Sequence, residues 1–245
     1  MSKKLNIGNT TFYCFSPPVM LATFAIEIGL LAYVLIRYKM SPAVRLISAL
    51  LLLLATFQLA EFYVCGGFGM TAEVWSRIGF VAITFLPPLG LHLAHVLAGR
   101  PPGKAVFAAY ATGAIWALVF GLSDWAFVGH ACTGNYVIFQ LKDYVGTFYS
   151  FYYYGWLVGG ILISYILARQ VPKARTSLRW MVYGYLAFMV PTAVINVLQP
   201  DTTAGIPSIM CGFAVLLALA LVFKVLPAYQ AAKRTDRSFP LTFQR

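Results

Sequence analysis

Apolar residues dominate seven stretches of the chain, roughly 17–36, 44–64, 77–98, 105–122, 145–168, 179–198 and 206–226, and the polar and charged residues gather between them. About 20 consecutive apolar residues are enough to cross a hydrocarbon core as a helix. Each stretch therefore predicts a membrane-spanning helix, the fourth being the shortest. None alternates polar and apolar at every second position, as a barrel strand does, so the pattern predicts an all-α, polytopic bundle of seven transmembrane helices. Short connections such as "RYKMSPAVR" and "GRPPGK" make helices 1 and 2, and helices 3 and 4, antiparallel neighbours.

The longest interval, residues 123–144, contains an apolar run from Tyr136 to Phe139. It is expected to form a short strand or to fold back over the bundle mouth, which makes it the candidate lid. The expected organisation is a short N-terminal segment over 1–16, a bundle over 17–226 and a basic tail over 227–245. The tail is too short for a catalytic domain of its own.

Composition narrows the class. The 245 residues are 60% hydrophobic and 10% charged, with a mean hydropathy of +0.78, far from the surface charge a soluble domain carries. The formal net charge of +11 raises nucleic acid as a partner. The basic residues lie in short clusters between apolar runs, however, where membrane topology and anionic lipid head groups account for them, and no nucleic-acid partner is expected. Fourteen of the 18 Lys and Arg residues fall on one side of the predicted bundle, against Lys3, Lys4, Arg77 and Lys142 on the other. The positive-inside rule then predicts an outside N-terminus and a cytoplasmic C-terminus. Lys3 and Lys4 resemble the start of a signal peptide, but no short apolar core with a small-residue cleavage site follows, so the first helix is expected to be retained.

Pro87 and Pro88 sit in the middle of the third stretch. Each lacks a backbone N–H and each ring opposes the carbonyl four residues back, so the helix should kink there. The freed carbonyls, around Ile83 and Thr84, need partners inside protein. His92 and His95, three residues apart, share a face at the cytoplasmic end of this helix. Metal ligation and an interfacial or carbonyl-bonded pair are both open for them, and the second is favoured; no cofactor or metal is expected.

Trp75, Arg77, Gly79, Pro87, Pro88, Gly99 and Arg100 together resemble the third helix of the seven-helix sensory region found at the N-terminus of bacterial histidine kinases and diguanylate cyclases. The layout with an outside N-terminus and inside C-terminus is similar along nearly the whole membrane part. The resemblance implies a sensing or ligand-binding bundle in a bacterial inner membrane. In that family a coiled linker and an output domain follow the last helix. Neither follows here, so the expectation is a stand-alone sensor, without an enzymatic activity of its own, that relays through a partner protein.

Polar groups inside the spans are the candidates for function. Glu27 lies mid-way along helix 1 and is expected to be protonated, hydrogen-bonded or paired. Gln58 and Glu61 share a face of helix 2, and Thr192 and Asn196 occupy a similar outer depth on helix 6. These four either line an outward-facing cavity or cap helices at the interface. Helix 5 opens with "DYVGTFYSFYYYGW", in which Tyr149, Tyr152, Tyr153 and Trp156 share a face, as a wall for an apolar or cationic ligand or as packing. All four cysteines, Cys14, Cys65, Cys132 and Cys211, map to the outer side, where thiols oxidise. Three complete pairings exist; Cys65–Cys132 is the one expected, because both should lie at the surface and their bond would hold the long loop over the bundle.

No nucleophile elbow, H-E-x-x-H zinc motif or phosphate-cradling glycine loop occurs. A retinal-type photoreceptor needs a lysine midway along helix 7, and Lys224 lies at its cytoplasmic end. The expected function is binding of a small ligand or partner segment in the outer cavity. The alternatives are a non-catalytic scaffold subunit, supported by the small residues of "GWLVGG" (Gly155 to Gly160) that permit close helix contact, and proton-coupled transport through Glu27.

Overall fold

The computed structural model describes residues 17–66, 69–132 and 137–237. Cys14 and the last eight residues of the tail lie outside the described residues. Helices α1 (Pro17–Arg37) and α2 (Pro42–Gly66) form an antiparallel pair; α3 (Ala72–Thr84) and α4 (Leu86–Leu97) follow, then α5 (Lys104–Leu122). A hairpin of β1 (Phe127–Cys132) and β2 (Val137–Leu141) leads into α6 (Asp143–Gln170), α7 (Arg175–Leu198), α8 (Ile206–Ala220) and α9 (Leu226–Arg237). Seven helical units are long and apolar enough to cross a membrane, α3 with α4 forming one and α8 with α9 another.

α2 and α4 are the central helices. α2 packs against α1, α3, α4 and α8, while α4 meets α5, α6 and α7. Their large apolar side chains, such as Ile47, Leu51, Leu54, Phe57, Leu91 and Leu93, are fully buried. The outward faces stay apolar as well. Phe107, Ile115, Phe148, Phe151, Val197 and Leu198 are exposed, a surface suited to lipid and costly in water.

The third span breaks at Phe85, between α3 and α4, with Pro87 and Pro88 in the first turn of α4. A proline at the start of a helix loses nothing by lacking its N–H, so the chain restarts the helix around the two rings. The last helix runs further than the sequence pattern indicates. Instead of ending near 226, it continues through Pro227 to Arg237. A π turn at Leu221–Val225 explains this: the Leu226 N–H reaches back to the Leu221 carbonyl, and the widened turn makes room for the proline ring behind it. The tail expected from 227 therefore begins as helix.

The long outer interval folds as an antiparallel hairpin, with His130 opposite Phe139 and Cys132 opposite Val137. Val137 and Phe139 are buried, and the Phe139 ring packs 5.8 Å from that of Phe57 and 5.2 Å from that of Phe80. The strand thus closes one end of the bundle with its apolar side. A Cys65–Cys132 disulfide ties the hairpin to the end of α2, with the two Cα atoms 5.8 Å apart. This is the pairing that surface placement predicted. Cys211 is a buried free thiol.

Candidate functional site

The aromatic run of α6 winds so that residues three and four apart fall together. Tyr149, Tyr152 and Tyr153 face inward and are buried, while Phe148 and Phe151 face out. Each inward tyrosine then takes a separate task. The Tyr152 hydroxyl donates to the Thr84 carbonyl at 2.7 Å, the acceptor that an N–H at Pro88 would have filled in an unbroken helix. The Thr84 hydroxyl donates to the Phe80 carbonyl at 2.7 Å, which leaves its oxygen to accept from the Tyr149 hydroxyl at 3.1 Å. The broken span is thereby held by two tyrosines of α6.

Tyr149 and Tyr153 also line an open cleft of about 930 Å³ between the hairpin, α6 and the start of α8. Its other walls include Phe139, Tyr154, Pro207 and Met210, and Lys142 and Asp143 stand among the residues around it. A space of this size suits a small organic ligand, and its mostly aromatic and aliphatic lining with a few charged groups is the usual make-up of such sites. Beside the break lies a small apolar cavity of about 30 Å³, bordered by Leu86, Gly90, Tyr153, Tyr185 and Cys211. It has room for a water or two and few polar groups to hold them.

The remaining residues singled out by the sequence disperse. Trp156 turns to α5 and donates to the Thr112 hydroxyl oxygen at 3.0 Å. Thr192 donates to the Phe188 carbonyl of its own helix at 2.8 Å, and the Asn196 Oδ1 accepts from the Thr202 hydroxyl at 3.0 Å. Glu61 and Gln58 face the interior, with 1% and 2% of their surfaces exposed, where Ser208 of α8 is the hydrogen-bond partner of the Glu61 carboxyl. Of the eight candidate ligand-binding residues, Tyr149 and Tyr153 thus stand at the cleft, Gln58 and Glu61 in the interior, and the other four are engaged elsewhere.

Glu27 of α1 is 0% exposed and close enough to Glu61 for their charges to interact. Ser208 also accepts from the backbone N–H of Val137 at 3.3 Å, so the interior pair connects through one serine to the hairpin above it. Nothing in the pattern of α8 marks Ser208, Met210 or Pro207 as site residues. Only the packing of α8 against α2 and the hairpin does so.

The two histidines of α4 are taken up separately, His92 Nδ1 lying 3.2 Å from the Tyr110 hydroxyl and His95 Nδ1 3.0 Å from the Leu91 carbonyl. Among the described residues no three His, Cys, Asp or Glu side chains converge as a metal site. A second open groove, of about 1060 Å³, runs between α2, α3 and α5 below Arg77, which bridges Glu73 at 2.6 Å and Asp124 at 2.5 Å. No protein-family model matches the chain, and no curated protein matches it.

Proposed function

We propose that the chain is a multi-pass protein of a bacterial inner membrane, with its N-terminus outside and its C-terminus in the cytoplasm. It binds a small apolar or cationic ligand in the cleft under the hairpin, and relays occupancy through the broken third span to a partner protein. One observation carries this reading: Tyr149 is at once a wall of the cleft and a hydrogen-bond partner of Thr84 at the break. A ligand that displaces Tyr149 changes the support of the break directly. The third span is the element most able to respond, because it already lacks a continuous backbone ladder.

The test is extraction in mild detergent followed by mass spectrometry of bound small molecules and co-purified proteins. A small molecule retained by the native protein, and reduced at least tenfold in Ser150→Trp, is the expected result. Ser150 lies at the cleft and is exposed, so the indole fills the space without disturbing the core. Retention of nothing, or equal retention by the variant, overturns the reading.

A second reading, a scaffold subunit, has its own support. Gly155 and Gly159, four residues apart on α6, meet no neighbouring element; a Cβ at Gly155 would find nothing within 4 Å, whereas Gly160 packs close to the Tyr185 ring. Small residues at this spacing allow another helix to approach closely. A stoichiometric protein partner with no small molecule, its capture lost in Gly155→Leu, favours the scaffold.

A further inference from the structure

The interior acid pair has no role in the ligand reading, and its chemistry is incomplete. Neither carboxyl oxygen of Glu27 has a hydrogen-bond partner among the described residues, and the same holds for Glu61 Oε1 and the Gln58 amide nitrogen. All three side chains are at least 98% buried. Gln58 and Glu61 stand one turn apart on α2, and Glu27 of α1 is close enough to Glu61 for their charges to interact.

Two carboxyl groups closed inside a helical bundle need a compensating positive charge, because isolated negative charge there costs several kcal/mol or more. The described residues do not supply it. The titratable groups facing the pair are each other and the Cys211 thiol of α8; α3, α4 and the hairpin bring no Lys, Arg or His against either acid. The neighbouring donors and acceptors are two carboxyls, one amide and the Ser208 hydroxyl, an oxygen-rich set that suits a hard monovalent cation.

We propose that Glu27, Glu61 and Gln58 form an intramembrane site for one small monovalent cation, a proton or a sodium ion. With a proton, one carboxyl becomes a donor and the other its acceptor, which pairs one unmet oxygen of Glu27 with that of Glu61. With sodium, carboxylate, amide and hydroxyl oxygens replace part of its hydration shell. Either way the cation cancels one of the two buried negative charges, and the pair shares the one that remains. Because Ser208 joins Glu61 to the Val137 N–H, the site also bears on the hairpin that roofs the cleft.

The experiment uses the full chain in lipid nanodiscs. Melting temperature is followed against sodium chloride at fixed pH, with choline chloride holding ionic strength constant, and infrared absorption at neutral pH is examined for a protonated carboxyl that shifts in heavy water. Exposed acids are ionised at that pH, so the band reports only a shielded group. If sodium is the occupant, the melting temperature rises by on the order of 4 °C for each tenfold increase above its dissociation constant, and Glu27→Gln abolishes the rise. If the proton is, sodium has no effect, the carboxyl band is present, and combining Glu27→Gln with Glu61→Gln removes it. Should both variants fail to fold, the wild-type sodium response and infrared band still decide. Absence of both overturns the site, as does a sodium response or band that survives both substitutions. Ligand retention in the cleft is read separately, so either idea can fail without the other.

Discussion

At the scale of single residues, the most consequential contact is that between Tyr152 and Thr84. Removing the phenolic hydroxyl strands a buried carbonyl that has no N–H partner in its own helix, a loss of about 1–3 kcal/mol. Tyr152→Phe should therefore lower the melting temperature of the purified protein distinctly, while Tyr183→Phe, at an outward-facing position 55% exposed, stays within about 0.5 kcal/mol of the native protein. Equal effects would show that Tyr152 does not support the break. A second residue-scale case is Gly90, where a Cβ would collide with the Tyr185 hydroxyl oxygen. Gly90→Ala should destabilise by about 1–3 kcal/mol through overpacking. Adding Tyr185→Phe removes the colliding atom and leaves the ring Cζ at 3.2 Å, so the double variant should recover most of the loss. Additive losses in that cycle, measured by thermal unfolding, would place the strain somewhere other than this contact.

At the scale of elements, the disulfide is the device that makes the hairpin part of the bundle. It closes a loop of 67 residues, for which the chain-entropy argument gives up to about 4 kcal/mol. Reductant should lower the melting temperature of the native protein and leave a Cys65→Ala/Cys132→Ala variant unchanged; an identical response in both would show that the effect does not come from this disulfide. Much at this scale is legible in the sequence. The helices follow from the lengths of the apolar runs, and the Cys65–Cys132 pair from two positions at one surface. The break at Phe85 follows from Pro87 and Pro88 and the backbone groups they leave open. Helix rotation is another matter. Where a helix is apolar on every side, as α5 is, its pattern does not say which face meets which neighbour. For that reason the pattern cannot tell that Glu61 meets Ser208 and Glu27 while Asn196 bonds to Thr202. The passage of α9 beyond Pro227 is hidden for a different reason: it depends on a π turn, which local residue preferences do not encode.

At the scale of the whole molecule, two independent asymmetries point the same way. One is charge: Arg37, Lys39, Arg45, Arg100, Lys104 and Arg169 gather at the end of the bundle opposite the hairpin, where Arg100 also donates to Gln170 at 2.9 Å. The other is redox chemistry, because the only cysteine pair among the described residues sits at the hairpin end, and disulfides persist outside the reducing cytoplasm. Charge bias acts while the helices insert, whereas oxidation acts after the chain has folded, so their agreement is not one argument counted twice. Both support the proposed orientation, in which the hairpin and the cleft lie outside. Single cysteines added to a background lacking the native ones test this directly. Val128, on β1, is 66% exposed, and Met40, in the turn between α1 and α2, is 58% exposed. A membrane-impermeant maleimide should label Val128→Cys in cells whose outer layers have been removed, and reach Met40→Cys only after permeabilisation. The reverse pattern would turn the cleft towards the cytoplasm. Its ligand would then be an internal metabolite, and the basic end would face outward against the charge rule.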